Sequence, residues 1–248
     1  MIIHVYAQEA ETILPRENIQ IIVTTSTIDI DTNFAGRDLY IAGVLENADP
    51  QLRLQGRYDV IVVMEGPIRS MVIRQKKRKA GLWVNADSMT FVNVPLFYSM
   101  ATTREKRDMA SPETYRRLGL GLSYLPLRAY DADDEKFRVF RDELIMLKNS
   151  QNLYNENIGA VTFGSSSLFT AHFRLPANVP VGQHKVHAYL FRDGQFIQMV
   201  TTELEIEKAH IAFTIFRAAH VHSFWYGTFA VLIAILTGFI GRLVFRKD

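Results

Sequence analysis

His184 and His187 stand three residues apart in a stretch with strand composition, where side chains alternate between faces. They therefore point to opposite sides and do not share one metal ion. His210, His220 and His222 flank an uncharged run, and on a helix His220 and His222 lie about 200° apart, which suits interfacial anchoring rather than ligation. Gly164-Ser165-Ser166-Ser167 lacks the glycine after the central serine that a nucleophile elbow needs, so it reads as a turn. Asp131, Asp133, Asp134 and Glu135 suit a divalent cation by type, but they sit where a helix N-terminus favours negative charge. No metal, cofactor or catalytic constellation is expected. The sequence contains 0 cysteines, which excludes disulfides, thiolate sites and a cysteine nucleophile.

The densest charge cluster is basic: Arg74, Lys76, Lys77, Arg78 and Lys79, with Arg69 nearby. Alternation puts Arg69 on the face opposite Arg74, with the remainder crowding a loop before Gly81-Leu82-Trp83. Such a cluster suits an oxyanion, an anionic lipid headgroup or an acidic partner. A solvated edge strand guarded by lysines explains it equally well. Over all 248 residues the net charge is +2, too mild for nucleic acid as the main partner.

The elements around these residues read as mainly β. Two-residue alternation predicts strands over 19–24, 27–31, 39–45, 58–65, 69–75, 81–85 and 90–98, punctuated by Asn47-Ala48-Asp49-Pro50, Gly66-Pro67 and Asn85-Ala86-Asp87. Ser111-Pro112-Glu113 opens a short helix to about Gly119, and 134–149 carries an apolar stripe at Phe137, Phe140, Leu144 and Leu147. Strands return over 159–163, 168–175, 184–191 and 195–207, the last two joined through Asp193-Gly194, a strong hairpin signal.

The two ends point to a membrane. No charge falls between Ser223 and Gly241, so a helix there would cross a bilayer of ~30 Å. Phe224, Trp225 and Tyr226 mark one interface and Arg242, Arg246 and Lys247 the other, which the positive-inside rule makes cytoplasmic. Gly227, Ala230, Ala234, Gly238 and Gly241 line one face of that helix with small residues, a surface for docking another helix or a second copy. Met1–Ala7 reads either as the end of a signal peptide or as a short terminus.

Together these readings predict two Ig-like, β-sandwich-type units with intervening short helices, plus one C-terminal transmembrane helix. The expected boundaries are 1–8 for the signal remnant, 9–105 for the first β unit and 106–154 for a helical connector packed on the second unit. The second β unit takes 155–208, followed by a juxtamembrane segment 209–222, a span 223–245 and a tail 246–248.

Asp59-Val60-Ile61-Val62-Val63-Met64-Glu65-Gly66-Pro67, Lys79-Ala80-Gly81-Leu82-Trp83-Val84-Asn85, Leu175-Pro176-Ala177-Asn178-Val179-Pro180-Val181-Gly182 and Leu190-Phe191-Arg192-Asp193-Gly194 occur here in that order. In these segments the chain resembles an uncharacterised family of alphaproteobacterial single-pass transmembrane proteins. The resemblance implies an exported protein in the bacterial inner membrane, often encoded beside permeases of the sulfite-exporter type. The resemblance brings no activity with it. Taken with the apolar span, the small-residue face and the lack of a catalytic constellation, it favours a non-enzymatic accessory or binding role, with the bilayer and either an integral membrane permease or a second copy as partners. An extracytoplasmic enzyme and a structural envelope protein are the alternatives. Where members tend to carry tyrosine shortly after the Pro-x-Gly turn, this chain has His184.

Overall fold

The computed structural model describes residues 17–79, 82–130, 133–209, 227–228 and 231–238. They fall into two compact units, one running to Ile28 and resuming over Phe34–Ile206, the other combining Asp29–Asn33 with the chain from Glu207.

The elements run in chain order as β1 (Asn18–Val23), β2 (Thr27–Ile30), β3 (Arg37–Glu46), α1 (Pro50–Leu54), β4 (Tyr58–Glu65), β5 (Ile68–Lys79), β6 (Leu82–Pro95) and β7 (Tyr98–Thr102). Three short pieces follow: α2 (Lys106–Met109), α3 (Pro112–Leu118) and a 3-10 turn at Leu122–Tyr124. After β8 (Arg128–Ala129) and α4 (Asp134–Ser150) come β9 (Tyr154–Ile158), β10 (Val161–Phe163), β11 (Leu168–Leu175), β12 (Gly182–Arg192) and β13 (Gln195–Lys208).

Local chemistry fixes several boundaries as the sequence predicts. Ser111 Oγ accepts from Thr114 N–H at 3.2 Å and Pro112 opens α3, which Gly119 ends in the left-handed region at φ 67°. Asp193 and Gly194 both take positive φ, 50° and 80°, closing the β12–β13 hairpin.

The strands form three sheets, ordered β1-β3-β11-β10, β2-β13-β12-β4-β7-β9 and β5-β6-β8. The β7–β9 pair is parallel, and β4 is antiparallel to both β12 and β7. In the first unit β1 packs on β12, β11 on β7 and β10 on β4, so the four- and six-stranded sheets enclose a common core. Strand β3 shows the cause in its sequence: Leu39, Ile41 and Leu45 alternate inward, with Gly43 between them. A side chain at Gly43 would meet the Phe169 ring at 2.2 Å, so the glycine makes room for a fully buried aromatic. Val60, Ile61, Val62, Val63 and Met64 of β4 are each no more than 1% exposed, worth roughly 1.5–3 kcal/mol apiece.

Two expectations are corrected here. The β units are not consecutive along the chain, because β3 pairs with β11 from Arg37↔Leu175 to Val44↔Leu168, and β4 lies between β7 and β12. A strand buried on both faces needs a neighbour on each edge, and the second half of the chain supplies one of them. Two separate Ig-like units therefore do not describe this fold.

The second correction concerns the C-terminal helix: among the described residues, no helix is long and apolar enough to cross a membrane. Residues 231–238 are helical, with Thr237 Oγ1 donating to Ile233 O at 2.8 Å. Residues 223–226, 229–230 and 239–245 of the expected span lie outside the described residues, as does the expected signal remnant.

Candidate functional site

The basic cluster does not lie in a loop. It forms the outer half of a long antiparallel ribbon in which Arg74 faces Ser88, Lys76 faces Asn85 and Arg78 faces Trp83. Met71, Ile73 and Gln75 turn inward toward α4, where Phe91 of β6 meets Phe137 with ring centroids 5.7 Å apart and Lys136 Nζ sits 2.7 Å from Asp87 Oδ1. The alternate residues Val72, Arg74, Lys76 and Arg78 are exposed on the other face. Arg69 lies near the base of the ribbon opposite Val94, exposed, and Lys77 and Lys79 occupy β5 strand positions. Among the described residues, Arg69, Arg74 and Lys76 have no carboxylate within ion-pair distance.

Two irregularities bend the ribbon. Asn93 takes φ 56° where the register shifts between Arg69 and Met71, and a second shift falls between Gln75 and Lys76, opposite Asn85–Asp87. The Asn85-Ala86-Asp87 turn signal is therefore a bulge inside β6 rather than a strand end.

A second feature, missed by sequence reading, is the row Lys185, Glu65, Tyr98 and Tyr154 across neighbouring strands β12, β4, β7 and β9. Glu65, Gly66, Pro67, Ile68, Gln183 and Lys185 line an open cleft of about 260 Å³. Burial raises the Glu65 carboxyl above its ordinary range, and the Lys185 ammonium pulls it partly back. Its signal was the single carboxylate ending an apolar run, Val60 to Met64.

The tyrosines behind Glu65 are held by the backbone: Gly121 N–H donates to Tyr98 Oη at 2.8 Å, and Tyr154 O–H donates to Pro95 O at 2.7 Å. Burial raises both phenols, keeping them neutral. Lys148 of α4, 4% exposed, donates to Leu96 O at 3.2 Å, its Nζ lying 5.9 Å from the Tyr154 ring centre. Glu156 ties the covering segment to the sheet, accepting from Lys106 Nζ at 2.6 Å and Leu122 N–H at 2.7 Å.

The histidines of β12 fall on opposite faces. His184 is fully buried beside Phe97, with Nδ1 2.9 Å from Gly182 O and Nε2 without a partner. His187 Nδ1 lies 2.8 Å from Thr201 Oγ1. Burial lowers the pKa of both rings. No group of three or more metal-ligating side chains occurs among the described residues. Ser165 Oγ accepts from Leu168 N–H at 3.1 Å in a turn. Asp133 occupies the N-cap of α4 without a side-chain capping bond, so the acidic start acts through Asp134 and Glu135 in the first turn.

Of the small residues expected at a docking face, Gly227, Ala234 and Gly238 lie in helical, exposed positions. Ala230, Gly241, Phe224, Trp225, Tyr226, Arg242, Arg246 and Lys247 lie outside the described residues, as do His210, His220, His222 and Asp131.

The arrangement is that of a β-rich body whose most prominent charged surface is an exposed ribbon. The chain belongs to the family described as "Putative transmembrane protein (Alph_Pro_TM)", whose model matches residues 18–247. No curated protein matches the chain.

Proposed function

We propose that this protein is a membrane-associated accessory or binding protein rather than an enzyme. One contrast carries the reading: groups capable of chemistry are spent on structural bonds, while Arg69, Arg74 and Lys76 stand, among the described residues, without carboxylate partners. Asp59 is clasped by Arg104, Glu156 by Lys106 and Leu122 N–H, and Tyr154 by Pro95 O. Arg74 and Lys76 project outward instead. Family membership supports membrane association. Arg242, Arg246 and Lys247, beyond the uncharged stretch 224–241, favour a cytoplasmic C-terminus and a periplasmic β body at the bacterial inner membrane. The resemblance to proteins encoded beside sulfite-exporter-type permeases makes such a permease the partner to seek, with self-association the simpler possibility.

A mild-detergent pull-down of the full chain from membranes tests this reading. A reproducible integral membrane partner supports it, and recovery of the chain alone, as a monomer, counts against it. Ala234→Leu adds bulk beside Gly238 and is expected to reduce cross-linking to that partner while leaving membrane recovery unchanged.

One observation favours a second reading, an extracytoplasmic enzyme: Glu65, with its raised pKa, borders an open cleft beside Lys185. The enzyme reading requires Glu65→Gln to abolish a measurable turnover, whereas the accessory reading requires that variant to keep its membrane partner.

A further inference from the structure

We propose that the outward face of the β5–β6 ribbon binds anionic phospholipid headgroups of a bilayer through Arg74 and Lys76, in line with Arg78. The inference rests on the membrane association proposed above and adds a second, electrostatic contact to it.

Three observations carry it. The cations are aligned: strand alternation sets Arg74, Lys76 and Arg78 on one exposed face at intervals of roughly 7 Å. Arg74 and Lys76 repel one another at that spacing, and the residues facing them across the ribbon, Ser88 and Asn85, carry no compensating negative charge. An anionic surface removes the repulsion. The same strand also exposes apolar side chains, with Val72 51% and Ile68 59% accessible, as a segment resting at a headgroup layer would.

The shape of the site selects among anions. Arg74 and Lys76 are both exposed, so a free phosphate would meet one or two cations without desolvation. An array of fixed phosphodiesters engages the whole line at once, as multivalent contacts do. An acidic protein is the rival occupant. The bilayer is favoured because the chain belongs to a family described as transmembrane.

The sequence has 2 tryptophans, Trp83 beside the ribbon tip and Trp225. A Trp225→Phe variant of the full chain therefore reports on the ribbon alone. It is reconstituted in phosphatidylcholine nanodiscs containing increasing phosphatidylglycerol, and Trp83 quenching by brominated lipids is measured. Quenching is expected to rise with phosphatidylglycerol content and to fade at about 1 M salt, where the Debye length shrinks to ~3 Å. Arg74→Gln/Lys76→Gln is expected to weaken the response about thirtyfold, from two lost surface cations. Arg74→Glu/Lys76→Glu is expected to abolish it.

Arg116→Glu/Arg117→Glu, reversing two exposed charges on α3, controls for net charge, and far-UV circular dichroism confirms that each variant folds. Quenching that ignores phosphatidylglycerol, or that both double reversals reduce equally, overturns the proposal. So does loss of a copurifying protein in Arg74→Gln/Lys76→Gln with lipid quenching unchanged, because the occupant would then be an acidic protein. Membrane-embedded protein with charge-independent quenching defeats this inference alone. Recovery of the chain as a monomer without any membrane partner, with quenching that still follows phosphatidylglycerol content, defeats the accessory-protein reading alone.

Discussion

Arg104 grips Asp59 with both arms of its guanidinium, Nε to Oδ1 at 2.8 Å and Nη2 to Oδ2 at 2.5 Å, while Thr103 Oγ1 adds a third bond at 2.9 Å. Asp59 is 2% exposed and Arg104 about half exposed, so the pair seals the β4 end against solvent from one side. Arg104→Ala would strand a buried carboxylate, which costs more than the pair contributes as a unit. The expected loss is about 2–4 kcal/mol, moderated by Thr103 and by water entering where the guanidinium was. Asp59→Asn with Arg104→Ala should cost less than the sum of the two single changes. Chemical denaturation of all four proteins checks this, and strict additivity would show that the pair is not coupled.

How far the residues announced this structure depends on the range of the interaction involved. Local signals worked: Ser111-Pro112 starts α3, Asp193-Gly194 turns the β12–β13 hairpin, and the 134–149 periodicity is α4. Alternation marked 39–45 as a strand, but it carries no information about which strand lies alongside. Arg37↔Leu175 and Lys185↔Glu65 join residues more than a hundred positions apart, and nothing in either segment names its partner. The Glu65 row was invisible for the same reason, since its members come from four strands. The basic run was visible in composition and misplaced in structure, because Lys76–Lys79 continue the strand that charge density had suggested was a loop. Asn85-Ala86-Asp87 misled similarly, its turn chemistry serving a bulge.

Glu65 provides a prediction of opposite sign to the usual surface carboxylate. Burial raises its folded-state pKa above the ordinary 4.5, and Lys185 opposes the shift. The native state therefore holds the proton more tightly than the unfolded chain does. Its contribution to stability is fully present below pH 4.5 and is lost as pH rises through the raised folded pKa. Glu65→Gln removes that loss, so the variant should melt higher than wild type at pH 8, with the gap narrowing on acidification toward pH 4.5. Thermal melts across that range test it. A gap that widens on acidification would falsify the assignment of the shift to burial.

Lys148 is a buried charge with little support. It sits on α4 at 4% exposure, donating one bond to Leu96 O and lying near the Tyr154 ring. Neither neighbour carries a full negative charge, so the carbonyl and the ring quadrupole offset only part of the desolvation. Burial accordingly lowers its pKa from 10.5. A lysine with a depressed folded pKa binds its proton less tightly in the native state than in the unfolded chain. Stability therefore rises with pH between the folded value and 10.5, and the penalty for the charge is largest below that window. Lys148→Met keeps the unbranched apolar stem against Tyr154 and removes the ammonium. The lost bond to Leu96 O costs about 1 kcal/mol, and relief from the buried charge offsets at least that much. The variant should match or exceed wild-type stability at pH 7, and its stability should rise less steeply than that of wild type as pH approaches 10. Lys148→Gln, which retains a donor for Leu96 O without the charge, should show the same flattened profile. Denaturation midpoints at pH 7, 8.5 and 10 decide the matter. If Lys148→Met is less stable than wild type by several kcal/mol at every pH, the ammonium is a net structural asset and the balance proposed for it is wrong.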